Sequence, residues 1–251
     1  MVEAERWVWL SGSLLLAGAA TQAAWRLWRW EKGRAWLDPL ARSALFPLLL
    51  QTARFLYYVG FPFAALVWGR DAVVARLLGL QPLAALSVEA VPPADLAAHW
   101  ADWAGDVGWA AGLGVAAGAV LAVGWWVVHR STDGPAPAGA DASPWTLLRE
   151  AAFHEAHWSF YRNGPVVALG AYWGTWVGLG LVAVEAFVNP WWRADLQDVA
   201  RTPAALVRAG LAVLSGVLYL QTTNLWLAVL VHWGVTWGLA AWARGLVKRA
   251  R

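Results

Sequence analysis

Between Arg149 and Arg162 the chain reads Arg-Glu-Ala-Ala-Phe-His-Glu-Ala-His-Trp-Ser-Phe-Tyr-Arg. This is the densest polar run in a sequence that is 60% hydrophobic and only 14% charged. At about 100° per helical residue, Glu150, His154 and His157 fall on one face, and Glu155, Ser159 and Arg162 on a neighbouring stripe. A carboxylate and two imidazoles on one face are donor types that hold a divalent metal such as zinc, with a further ligand from another helix. Glu155 and Arg162 stand about two turns apart, so an ion pair between them would fix the second stripe. The order is not His-Glu-x-x-His, and the helical zinc-peptidase signature is absent. On a soluble helix such a pair of histidines is ordinarily surface decoration. Within a membrane span, ionisable side chains are costly, and function becomes the default reading.

Other polar positions extend this constellation. His232 lies mid-span in Leu225-Trp-Leu-Ala-Val-Leu-Val-His-Trp-Gly-Val-Thr236, with Thr236 one turn on. It reads as a helix–helix hydrogen bond if alone, and as a ligand if a histidine-rich helix lies beside it. Glu185, near the end of an apolar run, fits three roles: metal ligand, partner of Arg54, or interfacial carboxylate. Arg54, at mid-depth of a span, must face the bundle interior or a wet cavity. Thr222 and Asn224 punctuate the break before the last span and suit a helix cap. In a rebuilt site His154, His157 and His232 would hold the metal and Glu150 or Glu185 would complete it. Glu155 would then be general base on a metal-bound water.

These groups need helices to carry them, and the composition says which kind. With 251 residues, 22 Trp and no Cys, the chain is neither disordered nor a disulfide scaffold, and it has too much apolar surface for a soluble core. The expected fold is an all-α polytopic transmembrane bundle of about seven spans. The net charge of +3 comes from basic residues just outside apolar runs, at Arg26–Arg34 and Arg244–Arg251. That pattern points to lipid headgroups and not to nucleic acid. Spans are expected near 7–25, 45–68, 107–128, 145–162, 165–188, 204–220 and 225–243, with Asn163-Gly164-Pro165 as a break. Residues 71–106 read as an external amphipathic segment or re-entrant loop. Residues 131–143 form a linker between N-terminal helices (1–130) and a core (144–251) opened by Ser143 as cap and Pro144. Charge parity places the N-terminus outside and the C-terminus in the cytoplasm, with a bacterial inner membrane as the expected location.

The stretch from Gly216 to Thr236 combines a glycine-bearing helix, a Thr-containing break, Leu225-Trp226 and His232. It resembles the closing motif of the CAAX-protease and bacteriocin-processing (CPBP) family of intramembrane metallopeptidases. Phe160-Tyr161-Arg162 resembles the end of that family's first motif, Glu-Glu-x-x-x-Arg. The resemblance covers roughly residues 145–243 and implies a helical fold, a peptidase activity, and Arg162 and His232 as retained site residues. The chain departs from the family where its two consecutive Glu should stand, at His157 and Trp158. It has no clean Phe-x-x-x-His between 165 and 215, and Thr236 replaces the closing Asn. The resemblance implies a divergent intramembrane endopeptidase acting on a membrane protein or peptide. The alternative is an inactive scaffold or accessory subunit of a membrane complex, binding lipid or a tetrapyrrole pigment through its histidines. A transporter path along Arg54, Glu185 and the Pro62 and 221–224 breaks is a third reading, though no inverted repeat is visible.

Overall fold

The computed structural model of the chain describes residues 2–68, 96–132 and 142–249. Over these residues it is all-α, with eight helices: α1 (Val2–Arg29), α2 (Glu31–Ala41), α3 (Phe46–Trp68), α4 (Leu96–Thr132), α5 (Pro144–Val188), α6 (Pro190–Gln197), α7 (Thr202–Thr222) and α8 (Leu225–Arg249). Most of the segment expected to be external, up to residue 95, lies outside the described residues, as does most of the 131–143 linker. Residues 96–106 belong to α4, within which no proline interrupts the helix. Among the described residues four helices are long and apolar enough to cross a membrane: α4 over Ala101–Val128, α5, α7, and α8 over Leu225–Gly245. The number rises to five if α2 and α3, which meet at 100°, are taken as one broken span. These are the marks of an integral membrane protein. α1 covers the expected first span but is not among the four; Ser11, Ser13, Thr21 and Gln22 dilute it.

α5 is two antiparallel arms, 144–169 and 171–188. The chain leaves helical geometry at Gly170 (φ 81°, ψ 169°), a conformation that glycine alone adopts without strain. The reversal follows from cross-arm contacts. A Cβ on Gly174 would meet the Val166 Cα at 2.3 Å, and one on Gly178 would meet the Arg162 Cα at 2.7 Å. Along an unbroken helix such pairs would lie well over 10 Å apart. The expected break at Asn163-Gly164-Pro165 is therefore corrected. The helix runs through Pro165, and Gly164 instead lets α1 approach, since a Cβ there would stand 2.7 Å from the Leu10 side chain.

The first arm of α5 is the axis of the bundle. Trp158 packs with Leu211, Leu214 and Leu218 of α7, Leu227, Ala228 and Val235 of α8, and Ala110 of α4. On its other side, Phe160 and Tyr161 pack on Leu10 of α1. Polarity is inverted relative to a soluble protein. Leu15, Val115 and Val120 are each more than 70% exposed, whereas Glu155, His157 and Ser13 are 2% exposed or less. Apolar side chains face outward, as lipid allows, and charge is kept in.

If the arms are this close, Gly174→Ala should destabilise by about 1–3 kcal/mol through overpacking. Gly180→Ala, on the same arm with open space around its Cα, should be neutral or stabilising by up to about 1 kcal/mol. Thermal unfolding of both variants in one detergent checks this; equal behaviour would contradict the hairpin.

Candidate functional site

Sidedness in the hairpin brings both stripes of the first α5 arm against other helices. α3 contributes through a π-helical turn at Leu56–Gly60, the kind of local widening often found at functional positions. The turn aims two consecutive tyrosines at one imidazole. The rings of Tyr57 and Tyr58 lie 4.8 Å and 5.1 Å from that of His157, and Tyr58 is 5.6 Å from His154. The Tyr57 hydroxyl also stands 3.4 Å from that of Tyr161 and from Ser13 of α1.

Two carboxylate–imidazole pairs form the centre. His232 Nδ1 donates to Glu155 Oε1 at 2.9 Å, linking α8 to the first arm, with side-chain exposures of 6% and 1%. His157 Nε2 donates to Glu185 Oε2 at 2.8 Å, linking the two arms. Glu185 is thus the partner of His157 and not of Arg54, whose guanidinium instead bonds both oxygens of Glu150 and lies over the Tyr58 and Phe153 rings. Arg54 does face inward. The expected Glu155–Arg162 ion pair is replaced by a bridge: Arg162 donates to Ser215 of α7 at 2.8 Å, and the Ser215 hydroxyl donates to Glu155. Arg162 also bonds Ser159 and covers the Tyr219 ring. It is a tie between helices, buried away from either cavity described below.

His154 makes no such pair. Its ring is parallel to that of His232 (5.7 Å, 3°), both flank Trp158 at 5.4 Å, and its buried Nδ1 has no hydrogen-bond partner among the described residues. Thr236 donates back to the His232 and Trp233 carbonyls, and Asn224 caps α8 by accepting from the Trp226 and Leu227 amides.

The donor set does not fit the metal ion expected from the sequence. Among the described residues no group of three or more His, Asp or Glu side chains is arranged to hold one. His157 and His232 each face their own carboxylate, and Glu150 is occupied by arginines, so His154, His157, His232, Glu150 and Glu185 converge as pairs and not as one coordination shell.

Two cavities flank His154. A smaller one of about 190 Å³ is lined by His154, His232, Glu150, Thr236 and Arg208. A larger one of about 490 Å³ is lined by His154, His157, Glu185, Tyr58 and Arg208, with apolar walls from the second arm and α7. Ser215, Tyr57, Tyr58 and Arg208 are the site residues that sequence reasoning missed. Ser215 beside Gly216, mid-span, was the available signal. Comparisons with protein-family models, curated proteins and solved structures give no match to this chain.

Because Glu155 is the shared acceptor of His232 and Ser215, Glu155→Ala should cost about 3–5 kcal/mol, leaving buried donors unpaired. Glu155→Gln, which keeps an acceptor oxygen, should cost clearly less. Unfolding in detergent micelles measures both; equal losses would mean that burial volume and not bonding matters there.

Proposed function

We propose that the chain is a divergent intramembrane endopeptidase of the CPBP type, working by carboxylate-supported imidazole chemistry on a membrane protein or peptide. The observation that carries this reading is the buried His232–Glu155 pair, 2.9 Å apart, whose imidazole lines a cavity together with His154 and Glu150. Glu155 holds the Nδ1 proton and leaves Nε2 as the basic nitrogen of the ring. A water in the cavity would give its proton to Nε2 as its oxygen attacks the scissile carbonyl carbon. The imidazolium would then return that proton to the leaving amide nitrogen as the C–N bond breaks. Glu155 lines neither cavity, so it is a positioning residue in this scheme and not the base that meets water. Arg162 acts one step further back, by fixing Ser215 against Glu155. His157, held by Glu185, supplies a second imidazole on the other side of His154. The family resemblance contributes His232, Arg162 and the helical setting; no step runs through a metal.

The topology that goes with this reading has seven crossings: α1, α3, α4, both arms of α5, α7 and α8. The second arm, about 27 Å long, suffices for the hydrocarbon core. Trp25 packs edge-on against Trp191 at 4.6 Å, and Trp125 against Trp242 at 5.2 Å. The first contact supports a common side for the end of α1 and α6, the second for the ends of α4 and α8, and the count of crossings makes these the same side. With their flanking arginines that side is the cytoplasmic one, in a bacterial inner membrane.

A second reading, an inactive scaffold or accessory subunit, is favoured by one observation. The Arg162–Ser215–Glu155–His232 chain is fully internal, as a lock between α5, α7 and α8 would be. Cleavage of quenched transmembrane peptides in liposomes separates the two. The peptidase predicts turnover that falls about 10²–10⁴-fold in His232→Ala. Absence of turnover by the wild type, with a stable partner retained in mild detergent, would favour the scaffold.

A further inference from the structure

Arg208 takes no part in the chemistry above, yet it lines both cavities. Its guanidinium lies 5.9 Å from the centre of the Trp192 ring, and among the described residues no carboxylate lies within ion-pair distance of it. The acidic residues that share its cavities are engaged elsewhere: Glu150 with Arg54, Glu185 with His157 and Asp195 with Arg201. A guanidinium so close to hydrocarbon is strongly stabilised by an anion, and phosphate matches its forked donors.

The larger cavity has an apolar wall built from Leu179, Val182 and Val213, and it opens sideways. Three of its lining residues, Leu206, Phe187 and Val213, are 55%, 62% and 43% exposed on the outer surface of the bundle, where acyl chains run. Its rim carries Trp191 and Trp192 of α6, the short helix between two spans, and indoles of this kind settle at headgroup level. One cationic group at the rim, aromatic rings beside it and an apolar slot leading inward together match an amphiphile with an anionic head.

We infer that this cavity seats one anionic phospholipid of the inner leaflet, with its phosphate on Arg208 and an acyl chain along Leu179, Val182 and Val213. The seat stands apart from the peptidase reading, because it invokes neither His232 nor Glu155. Lateral entry favours a lipid over a water-borne anion.

The test is native mass spectrometry of the full chain in neutral detergent, titrated with phosphatidylglycerol or with phosphatidylcholine of the same chains. Wild type should take up one phosphatidylglycerol about fivefold more tightly than phosphatidylcholine, the margin one arginine near a headgroup provides. Arg208→Gln should erase that preference and Arg208→Lys should keep part of it. Val213→Trp, which fills the apolar wall and leaves the charge, should weaken both lipids. Equal affinity of wild type for the two lipids, or an unchanged preference in Arg208→Gln, would overturn the proposal. Displacement of the bound lipid by inorganic phosphate would also overturn it, by marking a free-anion pocket.

Discussion

A carboxylate or imidazole inside an apolar bundle must find a partner within the protein, because neither lipid nor a packed core can solvate it. That requirement organises this molecule. Glu155, Glu185 and Glu150 are taken up by His232, His157 and Arg54, and each contact ties together two segments that apolar packing alone would leave free to slide. Arg162 extends the first of these ties through Ser215, so that α5, α7 and α8 share one buried chain of polar groups. Buried pairs of this kind are weak evidence for net stability but good evidence for register. Lipid-facing leucines and valines accept many rotations of a helix, whereas a carboxylate 2.9 Å from a particular ring nitrogen accepts one.

Small residues make the pairing reachable. Gly174 and Gly178 let the second arm of α5 lie against the backbone of the first, and only at that separation does Glu185 meet His157. Gly170 supplies the reversal, and Gly164 brings α1 close enough for Ser13 to join Tyr57 and Tyr161. The glycines of α5 are thus part of the site in a physical sense, since the hydrogen bond across the arms depends on the absence of their side chains.

The same pairing explains why the donor set expected to hold a metal is deployed otherwise. Three imidazoles and two carboxylates drawn from α5 and α8 are sufficient in kind for a zinc site, but coordination needs lone pairs aimed at one point. Here two imidazoles use a nitrogen to donate to carboxylates, which is the arrangement that orients a ring for proton transfer. His154, stacked with His232 and Trp158 between the two cavities, pairs with no carboxylate among the described residues, and its buried Nδ1, like that of His157, meets no hydrogen-bond partner there.

Much of this was legible in the sequence because it depends on local properties. Apolar length set the helices over 46–68, 202–222 and 225–249, Ser143 and Pro144 opened α5, and helical periodicity separated the Glu150–His154–His157 face from the Glu155–Ser159–Arg162 stripe. The need for Arg54 to face inward followed from the cost of charge in hydrocarbon. Which acid meets which base did not follow. Glu185 had three open roles, and its choice of His157 rests on a turn at Gly170 that no local signal distinguished from Asn163-Gly164-Pro165. Ser215 stood out only as a hydroxyl beside Gly216 in mid-span, and neither its bridging role nor the place of Arg208 at the cavity rim followed, because a hydroxyl or a guanidinium acquires its role from the helix that packs opposite. Composition and periodicity act along one chain segment and so determine the elements and their polar faces. Partner choice depends on distances between segments, and those exist only once the helices have packed.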